Sequence, residues 1–121
     1  MNILLAEDDK NFGLVLKREL EEDHHTVDLV VNGVDAVLNF ISKTYAFVLM
    51  DIKMPRLNGN DALRIMKRIN PHVPAITISG KAGSEERAES VECGAIKCLT
   101  KPFEIAQLKG DLKSFFPVES P

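Results

Sequence analysis

The stretch that most constrains this chain is Ala46-Phe47-Val48-Leu49-Met50-Asp51. It is short and almost wholly apolar, and turn-forming residues follow it at Met54-Pro55 and Asn58-Gly59-Asn60. A continuous apolar run bounded by turns reads as a strand buried on both faces. Strands of that kind belong to parallel sheets covered by helices on each side. An ionisable residue at the tip of such a strand is costly unless something pairs with it or ligates it. Asp51 therefore sets the question of what it meets at that edge.

The rest of the chain supplies a sheet for this strand. Asn2 to Ala6 reads as a first strand closed by Glu7-Asp8-Asp9, and a helix starts at Asp9-Lys10-Asn11 with Phe12, Val15, Leu16 and Leu20 as its apolar stripe. Thr26 to Val31 is a second strand, placed at an edge by Asp28; Asn32-Gly33 turns the chain into a helix whose buried face is Val34, Val37, Leu38 and Ile41. After the third strand, Ala46 to Asp51, a third helix carries Ala62, Leu63, Met66 and Ile69, with Asn58 as N-cap and Asn70-Pro71 as its stop. Pro74 to Ser79 is the fourth strand, and Gly80 to Gly83 is a loop. The fourth helix, about Ser84 to Cys93, has a thin apolar face of Ala88, Val91 and Cys93, and Gly94 stops it. Ile96 to Thr100 is the fifth strand. A last helix carries Ile105, Leu108, Leu112 and Phe115, with Gly110 costing it roughly 1 kcal/mol relative to alanine. Strands alternating with helices in this way predict an α/β fold with a parallel sheet and right-handed crossovers.

Length and charge narrow the function. A chain of 121 residues makes one domain with a full core. The net charge is −3, and no lysine or arginine block appears, which disfavours direct nucleic-acid binding. No apolar run approaches membrane-spanning length, and the lack of an export signal favours the cytoplasm. Cys93 and Cys98 match neither a disulfide framework nor a zinc pattern and read as reduced residues in or near the core; His24-His25 read as a loop.

In a sheet of this type the functional crevice lies outside the carboxyl ends of the strands, at the topological switch point. The predicted strand ends are Glu7-Asp8-Asp9, Asp51, Ser79-Gly80 and Thr100-Lys101-Pro102. Converging carboxylates raise one another's pKa unless a cation intervenes. All-oxygen ligands suit a hard ion, and an incomplete protein cage suits Mg²⁺, which keeps several waters. Lys101 adds a fixed positive charge, Ser79 a hydroxyl and the Gly80 region backbone N–H groups. Singly, each has a plainer reading: Asp8 and Asp9 as a helix start, Asp51 as a turn-former, Lys101 as a surface charge. Their shared position at strand ends favours a joint one.

The chain resembles the receiver domain of two-component response regulators. The resemblance rests on Ile3-Leu4-Leu5-Ala6-Glu7-Asp8-Asp9, on Val48-Leu49-Met50-Asp51-Ile52-Lys53-Met54-Pro55 with Gly59, on Ile76-Thr77-Ile78-Ser79-Gly80, and on Gly94-Ala95 followed by Lys101-Pro102-Phe103. It implies a flavodoxin-like (βα)5 fold with strand order 2-1-3-4-5, a receiver domain over residues 1–116, and a tail or linker over 117–121. It implies Asp51 as phosphoacceptor and a Mg²⁺ site of Asp8, Asp51 and the Lys53 main-chain carbonyl, with Glu7 acting mainly through water. Asp9 becomes a helix cap. Ser79, Gly80 and Lys101 hold the phosphoryl group, and the Lys101–Pro102 bond is cis. The donor is a phosphohistidine of a histidine kinase or histidine phosphotransfer domain. An effector domain in a longer chain and dimerisation through the face of helix four, strand five and helix five fit the same resemblance. The chain then assists its own modification and is a switch rather than a turnover enzyme.

One position departs from the family pattern. Where the family commonly pairs Ser79 with an aromatic residue of strand five, this chain has Cys98, which predicts weaker or differently routed coupling from Asp51 to the face made by helix four, strand five and helix five. Lys53 and Lys81 flank the site. Of other classes, an aspartate-nucleophile phosphatase would place a second Asp where Lys53 stands. A nucleotide-binding module would need a Gly-rich loop where Glu7-Asp8-Asp9 stands. A degenerate receiver acting only in protein interactions is opposed by the complete set of Glu7, Asp8, Asp51 and Lys101.

Overall fold

The computed structural model describes residues 1–80 and 83–115. In chain order the elements are β1 (Asn2–Ala6), α1 (Lys10–Glu22), β2 (Thr26–Val30), α2 (Gly33–Ser42), β3 (Phe47–Asp51), α3 (Gly59–Ile69), β4 (Ala75–Ser79), α4 (Ser84–Glu92), β5 (Lys97–Thr100) and α5 (Ile105–Phe115). The five strands form one parallel sheet in the order β2-β1-β3-β4-β5, the expected doubly wound arrangement. Residues of β3 pair on one side with β1, as Leu49 with Leu5, and on the other with β4, as Asp51 with Ile78. All five residues of β3 are buried, as a central strand covered on both faces requires.

Alternation along the strands divides the core in two. Leu4, Ala6, Val48 and Met50 pack with Ala36 and Phe40 of α2 and with Ala62, Leu63 and Met66 of α3. Ile3, Leu5, Phe47, Leu49, Ile76 and Ile78 pack with Leu16 and Leu20 of α1 and with Leu108 and Leu112 of α5. Each of the larger side chains among them contributes about 1.5–3 kcal/mol on full burial. The chain order reverses between β1 and β3, since β1 is followed by its neighbour on one side and β3 lies on the other. That reversal opens a crevice at the carboxyl ends of these two strands.

Asp28 does sit on an edge strand, where its carboxylate accepts from Tyr45 Oη at 2.7 Å and from Lys43 Nζ at 3.1 Å. The Tyr45 hydrogen bond is the main cause that holds the Asp28 carboxyl below its usual range, while burial and Asp28 push the Tyr45 hydroxyl up to about 12. Asn58 caps α3 by accepting from the Asp61 N–H, and Gly94, at φ 109°, ends the α4 segment in a conformation that L side chains rarely adopt.

The apolar stripes read from sequence are partly rotated. Val15, Leu38, Ile41, Ile69, Val91 and Phe115 are exposed, with Ile41 at 63%. In α1 the buried line runs through Gly13, Leu16 and Leu20, and in α2 through Gly33, Ala36 and Phe40. Small residues make these contacts because they let the helix backbone approach. A Cβ on Gly33 would lie 2.0 Å from the Leu57 carbonyl oxygen, so the start of α2 is pressed against the loop after β3. Counting only large apolar residues misses that and turns the stripe toward solvent. Strands β2, β3, β4 and β5 are each one residue shorter than the sequence suggests. Lys81, part of the loop after Gly80, and residues 117–121 lie outside the described residues.

Candidate functional site

Four charged side chains meet at the carboxyl edge. Glu7 follows β1, its N–H donating to Val30 O at 2.9 Å, and its side chain is fully buried. Asp8 is exposed beside it. Asp9 is the N-cap of α1, accepting from the Phe12 N–H at 3.2 Å, and its own N–H donates to Glu7 Oε2 at 3.1 Å. Asp51 ends β3 and is 4% exposed. Its Oδ1 accepts from the Lys53 N–H at 3.2 Å and its Oδ2 from Lys101 Nζ at 2.9 Å.

Lys101 bridges the two strands that flank the crevice. Its Nζ lies 2.7 Å from Glu7 Oε1 as well as 2.9 Å from Asp51 Oδ2. Its N–H donates to Ser79 O at 2.7 Å, its ammonium lies 4.8 Å from the centroid of the Phe12 ring, and the Lys101–Pro102 peptide is cis. Phe12 packs edge-on against Phe103 with ring centroids 5.9 Å apart. Phe12, read from sequence only as a core residue of α1, is thus also a wall of the site; a cation over a ring face gains about 0.5–2 kcal/mol. A recess of about 490 Å³ lined by Asp9, Phe12, Gly80, Lys101, Pro102 and Phe103 opens beside this group.

The electrostatics follow from burial. Burial pushes the Glu7 carboxyl up to about 7, against the pull of Lys101, and the nearby Asp51 charge adds to the rise. For Lys101 burial acts downward, but the hydrogen bonds and charges of Glu7 and Asp51 outweigh it and hold the ammonium above its usual range. Glu7 Oε1 is buried and pairs with the Lys101 ammonium at 2.7 Å. One oxygen from each of Glu7, Asp8 and Asp51 can lie within 4.8 Å of the others. An all-oxygen donor set of two buried carboxylates and an exposed third one fits a hard divalent cation that keeps part of its water shell.

Ser79 ends β4, is 1% exposed, and stands next to the end of β3 through the pairing of Ile78 with Asp51. Gly80 is exposed. Thr77 lies two residues deeper in the sheet, fully buried, with its Oγ1 unpartnered. Cys98 pairs with Thr77 across β4 and β5, and its Sγ lies 3.9 Å from Leu99 O. It is half-buried and outside the acidic cluster. Cys93 and Cys98 are free thiols, and His24-His25 form the turn before β2. A residue that the sequence reading passed over is Asn60. It is 2% exposed and hydrogen-bonds to α4. A polar residue placed among the buried residues at the start of α3 was the available signal.

Comparison with known proteins agrees with this geometry. The chain matches the family described as the response regulator receiver domain over residues 3–113. The response regulator ArlR of Staphylococcus saprophyticus is 29% identical over 93% of this chain and 50% of its own length. The transcriptional regulatory protein CusR of Escherichia coli is 32% identical over 89% of this chain and 48% of its own length. The chain thus spans about half the length of the curated relatives it matches. Among solved structures, the non-phosphorylated HemR receiver domain of Leptospira biflexa superposes with a TM-score of 0.88 at 28% identity, covering 99% of this chain and 97% of that one. The receiver domain of the sensor histidine kinase PA1611 of Pseudomonas aeruginosa, with a magnesium ion coordinated in its active site cleft, gives 0.85 at 30% identity, covering 93% and 94%.

Proposed function

Since the chain belongs to the response regulator receiver domain family, we propose that it accepts a phosphoryl group on Asp51 and acts as a phosphorylation-controlled switch. The observation that carries this reading is Lys101 Nζ, held 2.9 Å from Asp51 Oδ2 and 2.7 Å from Glu7 Oε1 at the mouth of the crevice. A carboxylate at a strand tip, with a fixed cation on it and a second carboxylate behind it, is a nucleophile positioned for phosphorus.

Phosphoryl transfer needs positioning and charge neutralisation more than covalent help. An Asp51 oxygen attacks phosphorus in line, the bond from phosphorus to the donor's imidazole nitrogen breaks, and the electron pair leaves with that nitrogen. Lys101 and the Ser79 hydroxyl bind phosphoryl oxygens, with backbone N–H groups near Gly80. Asp8, Asp51 and the Lys53 carbonyl would hold Mg²⁺ directly, and Glu7 through water. Bound there, the ion would neutralise charge on the transferring group. The magnesium in the PA1611 receiver's cleft supports this assignment. The product is an acyl phosphate that water slowly removes, so the chain assists its own modification without turning over a metabolite.

The receiver unit spans residues 1–116, with a tail or linker over 117–121. Its phosphodonor is a histidine kinase or histidine phosphotransfer domain in the cytoplasm. The extra length of these relatives, one of them named a transcriptional regulatory protein, supports an effector region in the complete protein, and the α4–β5–α5 face is its dimerisation surface. Among the described residues no helix is long and apolar enough to cross a membrane.

The test is to react the protein with a small-molecule acyl phosphate and Mg²⁺ and to map the product by mass spectrometry. One acid-labile phosphoryl group on Asp51, absent from Asp51→Asn and suppressed by chelation, is the expected result. A phosphoryl group that persists in Asp51→Asn, or none at all on the unmodified sequence, would overturn the assignment.

A further inference from the structure

Helix α4 is fastened unlike its neighbours. Its one fully buried residue is Ser90, and Val91 is 54% exposed. Its N-cap, Gly83, makes no side-chain capping hydrogen bond. Besides its packing on β5, the helix is held to α3 by a single amide. Asn60 Oδ1 accepts from Ser90 Oγ, and Asn60 Nδ2 donates to the Glu86 main-chain oxygen and to Glu89 Oε1, each at 3.2 Å. Residues 86, 89 and 90 share one helix face at three- and four-residue spacing. Arg64 extends the contact outward, with Nη2 2.7 Å from Glu89 Oε2 and Nη1 2.6 Å from Asp61 Oδ1.

The same amide is tied to the acidic site. Asn60 follows Gly59, whose N–H donates to Ile52 O at 2.7 Å. A Cβ on Gly59 would stand 2.1 Å from the Asp51 carbonyl oxygen, so the start of α3 rests directly on the Asp51–Ile52 peptide. Any displacement of that peptide carries Gly59 and Asn60 with it. A recess of about 290 Å³, walled by Ile52, Lys53, Asn58, Asn60, Glu86 and Glu89, separates the loop after Asp51 from α4. On β5, Cys98 is half-buried with its Sγ 3.9 Å from Leu99 O.

We propose that Asn60 and Ser90 couple the Asp51 site to α4, so that the response of α4 to phosphorylation runs through the start of α3 rather than through residue 98. This rests on the reading of Asp51 as phosphoacceptor. The Asn60–Ser90 pair is buried, so it has one satisfied arrangement and a steep penalty for any other. Such a pair transmits a shift of one helix to the other, where a greasy contact would slide.

Hydrogen exchange of the α4 amides, with and without Mg²⁺ and beryllofluoride as the phosphoryl mimic, tests the proposal. The mimic is expected to change α4 exchange in the unmodified protein. In Ser90→Ala, α4 exchange without mimic rises on the order of ten-fold, the mimic still binds, and its effect on α4 is lost. Glu89→Gln, at a half-buried position, reduces the same response and carries the test if Ser90→Ala does not fold. Cys98→Ala keeps the response. A merely structural role for Ser90 would raise exchange equally with and without mimic and leave the response intact. That outcome, or loss of the response in Cys98→Ala, overturns the coupling while leaving Asp51 as acceptor. Failure of the mimic to bind the unmodified protein overturns the acceptor reading and the coupling together.

Discussion

Helices α3 and α4 follow the ends of neighbouring strands, border the same loop after Asp51, and are held there by opposite means. From α3, Ala62, Leu63 and Met66 are fully buried against Leu4, Val48 and Met50. From α4, only Cys93 at the C-cap joins that core, and the buried Ser90 within the helix bonds to Asn60 of α3. Apolar burial is large and non-directional, so α3 is a fixed part of the core. A hydrogen-bonded attachment is small in net energy and strict in geometry. The difference teaches where this domain can change shape at low cost: beside the site, on the side where the core gives out. Elements that move in signalling are drawn from the least stable parts of a fold.

The largest expected effect tests the α3 side. Leu63→Ala removes a fully buried side chain and should lower global stability by about 2–5 kcal/mol. Urea unfolding measures it, and the loss should appear in every probe at once. A loss under about 1 kcal/mol would mean that α3 is not the rigid partner.

On the α4 side the effect is smaller and local. Ser90→Ala leaves Asn60 Oδ1 buried without its donor, which costs about 1–3 kcal/mol. Val91→Ala, at an exposed position of the same helix, should stay within about 0.5 kcal/mol. Exchange of α4 amides should report the Ser90 change fully, while the midpoint of urea unfolding moves less than for Leu63→Ala. Equal effects of the two α4 substitutions would show that α4 is held by something other than the Asn60 amide.

The two helices also differ in how far the sequence reveals them. For α3, Asn58 as cap, Ala62, Leu63 and Met66 of the buried face, and Asn70 as end follow from residue types and spacing, and the structure agrees; Ile69, read into the same face, is exposed. The same kind of reasoning brings Glu7, Asp8, Asp51 and Lys101 to one edge, because strand ends in a parallel sheet must share it. It does not give the bridge of Lys101 to Glu7, or the burial of Glu7 beside an exposed Asp8, since both depend on how the strand exits. For α4 the thin apolar face is legible, but its replacement is not. Asn60 and Ser90 are 30 residues apart, and nothing local marks them as a pair. Only the approach of α3 to α4 makes a hydrogen bond of two ordinary polar residues. The stripes of α1 and α2 differ from the sequence reading for a related reason: Gly13 and Gly33 carry no apolar signal, yet Gly13 packs on Leu29 of β2 and Gly33 on the Leu57 backbone.

The smallest effect expected is one of pH, and it separates the two attachments without any change of sequence. The Arg64 hydrogen bond, with the Asn60 amide, holds the Glu89 carboxyl below its usual range. A carboxyl depressed in the folded state contributes stability above its unfolded pKa and loses it as pH falls through the lower, folded value. Acidification from about pH 5 downward should therefore loosen α4 while α3, held by apolar burial, keeps its protection. Asp28 is depressed by its Tyr45 hydrogen bond and weakens in the same window, but it sits on β2, so the two are told apart by which amides respond. Once the intrinsic pH dependence of exchange is removed, α4 amides in the unmodified protein should lose protection over this range and those of Glu89→Gln should not. The same acid response in both proteins would place the titrating group elsewhere and leave the Asn60–Ser90 pair as the whole of the polar attachment.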